Sequence, residues 1–261
     1  MSIRAIVWGE NVHEQTNEVV RGIYPDGMHR TIADALNADD RISAETATLQ
    51  EAEHGLPAER LDATDVLLWW GHAAHGDVSD VVVERVVEAV WAGMGLLVLH
   101  SGHFSKVFKR LMGTPCSLTW REAGERERIW ITAPNHPIVR GLPQYFEVDT
   151  EEMYGEPFAI PEPDETVMIG WFEGGEVFRS GVTYRRGAGR VFYFQPGHET
   201  YPTYHNPTIQ QVLRQGVHWA HNPEARLRGV TDAPNRPAEE ALEPITVKGP
   251  RLHKDGEEGF R

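Results

Sequence analysis

Val66-Leu67-Leu68-Trp69-Trp70-Gly71-His72 is the stretch that decides the fold. An apolar run with no polar alternate fits a strand covered on both faces, as in a parallel sheet. Gly71 ends the run, and His72 and His75 follow before a helical pattern starts. There Val82, Val86, Val90 and Met94 recur every fourth residue, with Asp77 or Ser79 as the cap and Gly93 and Gly95 at the end. Leu96–Leu99 repeats the apolar run, followed by His100-Ser101-Gly102-His103 and a short helix over Ser105–Met112. Upstream, Ile3–Trp8 reads as a strand, Tyr24–Met28 as a turn, Thr31–Asn37 as a helix and Ile42–Leu49 as a short strand. This alternation predicts an α/β sheet with parallel pairing.

The second half reads differently. Val167–Phe172, Val177–Tyr184 and Arg190–Phe194 are strand-like runs separated by the Gly-bearing gaps Glu173–Glu176 and Arg185–Gly189. Short gaps of this kind predict hairpins, hence an antiparallel meander. Thr208–Ala220 predicts a last amphipathic helix with Ile209, Val212, Leu213, Val217 and Ala220 inward. From Asn222 the chain turns charged and is punctuated by Pro223, Pro234, Pro237, Pro244 and Pro250. The expected division is a domain over 1–221 and a tail over 222–261. The tail is expected to lie on a neighbouring subunit of a homo-oligomer or on its own domain.

The chain has 261 residues, a single cysteine (Cys116) and a formal charge of −14. One cysteine excludes an internal disulfide framework and fits a reducing cytoplasm. The acidic balance argues against a nucleic-acid partner, which needs a basic face. No apolar stretch approaches the ~20 residues that span a bilayer, and the N-terminus enters a strand pattern without a signal-peptide profile.

The 13 histidines carry the chemistry. Four strand-like runs are each followed by one or two of them: His13 after Ile3–Trp8, His72 and His75 after Val66–Trp70, His100 and His103 after Leu96–Leu99, His198 after Val191–Phe194. If these strands are parallel neighbours, six imidazoles and the carboxylates of Glu10 and Glu199 meet at their carboxyl edge, where open α/β sheets place ligands. Such a cluster suits metal binding or acid–base chemistry near neutral pH.

Each motif also has a plainer reading. His72 and His75 can share a metal or be a chance surface pair. Ser101 can be a nucleophile on a sharp turn, or Ser101-Gly102 can merely permit the turn while His100 and His103 hold the ligand. Glu199 can orient His198 or point away from it. Glu151–Glu156 reads by default as a solvated acidic loop, with Glu152 singled out as a possible ligand or base. Trp120 and Trp171 can line a pocket or simply be buried. Asn135-His136-Pro137 reads as a turn with a surface histidine. A Rossmann glycine motif, a P-loop and a His-Glu-x-x-His helix are all missing.

Several longer motifs carry a resemblance: Trp69–His72, His100–Lys106, Glu152–Glu156, Trp171–Gly181 and Pro196–Tyr204. Together they resemble the ThuA-like proteins of trehalose utilisation, over about residues 3–221. The resemblance implies a flavodoxin-like, class I glutamine amidotransferase-like three-layer sandwich with an antiparallel hairpin extension. In that superfamily a cysteine sits on the elbow after a central strand. Here the elbow is His100-Ser101-Gly102 and Cys116 is too far along, so amidotransferase activity is not expected. The resemblance also implies a role in disaccharide catabolism through 3-keto sugars.

The resulting expectation is a metal-assisted enzyme on a disaccharide or keto-sugar. A divalent metal, zinc foremost, would be held by His13, His72, His103 and His198, with His100, Glu152 and Glu199 as catalytic groups. A rival expectation is a non-catalytic sugar-binding protein that partners a sugar oxidoreductase. A third is a serine hydrolase using Ser101 and His198.

Overall fold

The computed structural model describes residues 2–228. Its strands are β1 (Ile3–Gly9), β2 (Ile42–Thr48), β3 (Val66–Trp70), β4 (Gly95–Leu99), β5 (Thr119–Ile131), β6 (Tyr145–Gly155), β7 (Glu165–Phe172), β8 (Val177–Arg186) and β9 (Gly189–Phe194). Its helices are α1 (His13–Thr16), α2 (Glu18–Ile23), α3 (Met28–Asn37), α4 (Ala58–Asp62), α5 (Asp80–Trp91), α6 (Lys106–Met112), α7 (Pro207–Ala220) and α8 (Pro223–Arg228). The described strands form one nine-stranded sheet in the order β2-β1-β3-β4-β9-β8-β7-β5-β6. The first five are parallel neighbours, and from β9 outward the pairing is antiparallel.

Burial explains the apolar runs. In β3, Val66, Leu68 and Trp70 enter one core while Leu67 and Trp69 enter the other. The first core is closed by Ile32 and Leu36 of α3 and by Ile209, Val212, Leu213 and Val217 of α7. The second is closed by Val82, Val86, Val87 and Val90 of α5 and by Val107, Phe108 and Leu111 of α6. Three layers result, with each large side chain contributing about 1.5–3 kcal/mol on burial. Trp8 of β1 and Trp69 of β3 stack with centroids 3.9 Å apart. Asn206 caps α7 by accepting from the Thr208 and Ile209 amides, and Pro207 sits where a helix lacks an N–H partner.

The meander of β7, β8 and β9 is as the gaps indicated. The extension, however, is wider than a hairpin, because β5 and β6 lie beyond β7. The acidic stretch around Glu151 is part of strand β6, not a solvated loop, and Glu151 and Glu152 are buried. β5 hid from pattern reading because its exposed face is charged. Arg121 pairs with Glu125 and Glu176, Arg126 with Glu173, and Arg128 with Glu147. Its inward face includes another carboxylate, Glu127. His136 is buried rather than on the surface, with its ring 5.4 Å from that of Trp219. The expected tail opens with α8, and its remainder, with the expected seat on a neighbouring subunit, lies outside the described residues. Among the described residues no helix is long and apolar enough to cross a membrane.

At the start of β9 the backbone of Gly189 runs against the end of α5. A Cβ there would lie 2.2 Å from the Val90 carbonyl oxygen and 2.8 Å from that of Met94. Neither backbone atom can swing away, so Gly189→Ala is expected to cost about 1–3 kcal/mol. The check is a urea midpoint lowered at unchanged m-value.

Candidate functional site

The carboxyl ends of β1, β3, β4 and β9 lie side by side, and the turns that leave them carry the histidines. The turn after β3 is held by Glu10, which follows β1. Its carboxylate accepts from the His72 amide at 2.7 Å and the Ala73 amide at 2.8 Å. The turn after β4 is sharp, and its first residue, His100, adopts a left-handed φ of 48°. A non-glycine residue there is strained, which is common where a side chain is fixed for function. His100 therefore holds the elbow position. Ser101 Oγ donates to the Gly71 carbonyl at 2.8 Å rather than to an imidazole, so the serine-hydrolase reading lacks its base.

The turn after β9 is held by Glu151 of β6. Its two oxygens accept from the amides of Glu152, Gly197 and His198 and from the Thr203 hydroxyl, all at 2.9–3.0 Å. Burial pushes the pKa of Glu151 up, while these donors favour the charged form. Three of them are amides that can only donate, so the geometry argues for a carboxylate. Gly197 has no room for a side chain: a Cβ would fall 2.1 Å from the Tyr204 hydroxyl oxygen.

Two groups of possible ligand atoms result. The first is His13, His72 and Glu199. Glu199 Oε1 lies 2.5 Å from His13 Nδ1 and 2.8 Å from His72 Nδ1, and the two nitrogens are 3.5 Å apart. Burial alone would raise the Glu199 pKa, but the bonds from His13 and His72 hold it well below the carboxylate range. Its second oxygen, Oε2, is buried and has no hydrogen-bond partner among the described residues.

The second group is His100, Glu152 and His198. His100 Nδ1 donates to the Gln195 carbonyl at 2.7 Å, and its Nε2 lies 3.0 Å from Glu152 Oε2 and 3.3 Å from the Tyr154 hydroxyl. Burial would lower its pKa, but Glu152 outweighs this and pushes it up to about 9. His198 Nε2 is 3.9 Å from Glu152, 3.8 Å from Glu199 and 3.9 Å from Glu122. Burial and then the nearby His100 push His198 down to about 4. Two imidazoles with rings 5.4 Å apart thus favour opposite protonation states, the pattern of an acid and a base sharing a site.

The expected ligands are therefore divided. His13 and His72 meet Glu199, while His198 joins His100 and Glu152. His103 stands apart from both groups: its Nδ1 bonds to the Cys116 carbonyl at 2.7 Å, and burial pushes it down to about 3. It does line the same cleft, a cavity of about 300 Å³ bounded also by His72, His75, Ser101, Phe104, Ser117, Leu118, Trp120, Glu122, Glu152, Tyr154 and His198. Glu151 and Tyr154 escaped sequence reasoning as site residues, since only the folded sheet sets Tyr154 on the cleft and Glu151 behind the turn after β9.

The family model described as "ThuA: Trehalose utilisation" matches residues 4–220. The chain belongs to the ThuA family. Membership assigns it a role in sugar metabolism. No curated protein matches the chain. Among solved structures it resembles a ThuA-like protein of Parabacteroides merdae ATCC 43184, with 14% identity, a TM-score of 0.66, and coverage of 91% of this chain and 94% of that one. A ThuA-like protein of Bacteroides uniformis ATCC 8492 gives 14%, 0.62, 84% and 91%. PurLQS from Thermotoga maritima, of the amidotransferase-like fold, gives 14%, 0.52, 84% and 99%. These likenesses show the fold. Against that fold, this ThuA chain has His100 on the elbow, and its one cysteine, Cys116, has a thiol bonded to the Thr114 carbonyl and pushed up by burial.

Behind the cleft, Glu127 of β5 is fully buried, and burial pushes it up to about 8. Hydrogen-bond counting agrees. Gln195 Nε2 donates to the Glu152 carbonyl, which turns its Oε1 toward Ser180 Oγ at 3.3 Å. Ser180 has one proton, so if it serves Gln195, the Glu127 oxygen 2.7 Å away must bring its own. The chain Glu127→Ser180→Gln195 then supports the carbonyl that orients His100.

Two predictions follow from these buried carboxylates. An unfolded Glu127 ionises near 4.5 but a folded one near 8, so its contribution is full below the lower value and is lost as pH rises through the higher. Wild-type stability should fall relative to Glu127→Gln by about 1 kcal/mol per pH unit between these values; parallel pH curves for the two proteins would contradict the assignment. Glu151→Gln places an amide N–H against amide donors. A loss of about 1–3 kcal/mol is expected, read from urea denaturation, with the His198 NMR resonance broadened or shifted.

Proposed function

We propose that the protein is a metal-assisted enzyme acting on a keto derivative of a disaccharide. The observation that carries this reading is the juxtaposition of the trio His13, His72 and Glu199 with the proton-bearing pair His100–Glu152, of which His72 and Glu152 line the cleft. The first trio suits a divalent ion. Ligand atoms about 2.0–2.1 Å from a tetrahedral ion stand roughly 3.4 Å apart; the two Nδ1 atoms are 3.5 Å apart, while Glu199 Oε1 hydrogen-bonds them at 2.5 and 2.8 Å and would draw back as an ion replaced the shared protons. Histidine nitrogen with carboxylate oxygen is a donor set that zinc accepts, and the buried, unpartnered Glu199 Oε2 has a use beside a cation. The ion would supply positive charge for a sugar oxygen.

The chain's own groups account for the protons. The carbon beside a keto group is acidic, and His198 Nε2 faces the cleft as the base that takes its hydrogen. The electron pair left behind forms the new carbon–carbon double bond as the glycosidic carbon–oxygen bond breaks. The departing sugar oxygen takes a proton that His100, buried and kept charged by Glu152, passes through the Glu152 carboxylate lining the cleft. No oxidant is needed. The sandwich of Tyr154 on His100, with centroids 4.8 Å apart, holds the imidazole plane during the transfer.

Elemental analysis after zinc dialysis tests the first half. Wild type should retain near-stoichiometric metal. His13→Ala, His72→Ala and Glu199→Gln should each lose most of it, and His103→Ala should keep it. Full occupancy in His13→Ala and His72→Ala would remove this trio from consideration. Turnover of 3-keto-trehalose tests the second half. His198→Ala and His100→Ala should each lower kcat by about 10²–10⁴-fold, and a wild-type chain inert toward the keto-sugar would overturn the reaction.

A further inference from the structure

Trp120 begins the long strand β5 and lines the cleft, yet its side chain is 64% exposed. Among the described residues no ring or cation stacks on its indole, and its Nε1 has no hydrogen-bond partner. The other exposed aromatic groups nearby are already engaged. Phe104, on the same cleft, carries the Lys109 ammonium over its ring at 2.9 Å. Trp171, on the outer face of the extension, has the Arg128 guanidinium 5.9 Å from its centroid. A large apolar surface left open at the edge of a cleft costs solubility unless a ligand covers it.

We propose that Trp120 is the platform for a second sugar ring, so that the cleft takes a disaccharide with one ring beside Glu152 and His198 and the other stacked on the indole. The inference rests on the sugar reading above and adds to it a subsite and a size preference. Strand register supplies the first argument. Trp120 is directly opposite Tyr154 across the β5–β6 pair. Opposed residues project to the same face with Cβ atoms about 4.5–5.5 Å apart. Tyr154 itself stacks on His100. A ring on Trp120 is therefore next to, but not over, the groups that would move protons.

Size supplies the second argument. The cavity of about 300 Å³ is at the low end of the roughly 300–1,000 Å³ of small-molecule sites. Trp120 is part of its lining, so a ligand that fills it reaches the indole. Chemistry supplies the third. The C–H face of a pyranose is apolar and packs on an aromatic plane, while its hydroxyls need partners at the edge. Glu122, two residues along β5, is half exposed on the same lip, and Ser117 is close by in the lining.

The experiment is calorimetric titration of the intact protein with trehalose and with glucose. Both lack the keto group, so neither is turned over. Wild type should bind trehalose about tenfold more tightly than glucose. Trp120→Ala should bring trehalose down to the glucose level and leave glucose within about twofold. Trp120→Phe should restore most of the difference, and unchanged melting temperatures confirm that both variants fold. Equal loss for both sugars, or no loss in Trp120→Ala, would overturn the subsite. Wild type that binds neither sugar also overturns it, and the keto-sugar turnover assay then decides separately whether the reaction itself stands.

Discussion

The buried carboxylate of Glu151 is the contact on which the site depends. It reaches from the antiparallel extension to the turn that leaves the last parallel strand, and there it gathers the amides of Gly197 and His198 and the Thr203 hydroxyl. A buried charge is tolerated only where donors replace water, and here four do. The same contact fixes where His198 and Glu199 point. Those two residues are the seam between the two side-chain groups, with His198 Nε2 and Glu199 Oε2 3.8 Å apart. Glu10 does the corresponding work for the turn after β3.

The two halves of the sheet contribute different things. The parallel half supplies imidazoles from its turns, as an open α/β sheet does at its carboxyl edge. The extension supplies Glu151, Glu152, Tyr154 and Trp120 from strands rather than loops, which holds them more rigidly. Charge then sorts the imidazoles. His100, next to Glu152, favours its proton, while His75, His103 and His198 are pushed low by burial. One elbow, left-handed at His100, places the imidazole beside Glu152.

Much of this was legible from residue order alone. Runs such as Val66–Trp70 and Leu96–Leu99 can be satisfied only between two helical layers, so they announce the parallel sheet and, with it, the edge where the histidines collect. The charged strand β5 was not legible. Its Arg121, Arg126 and Arg128 are neutralised by Glu176, Glu173 and Glu147, pairs that exist only once the strands are in register. Nor was the grouping of ligands. His13 and Glu199 are 186 residues apart, and no local spacing relates them.

The sequence by itself determined the family, the α/β class and the inventory of imidazoles that follow strand-like runs, because apolar periodicity and the long motifs are local properties. Only the tertiary structure decided which side chains meet. It joined Glu199 to His13 and His72, joined Glu152 to His100, withdrew His103 to the Cys116 carbonyl, and left Trp120 open at the mouth. Those outcomes depend on strand register and on where each buried polar atom finds a partner, and both are settled by contacts between residues far apart in the chain.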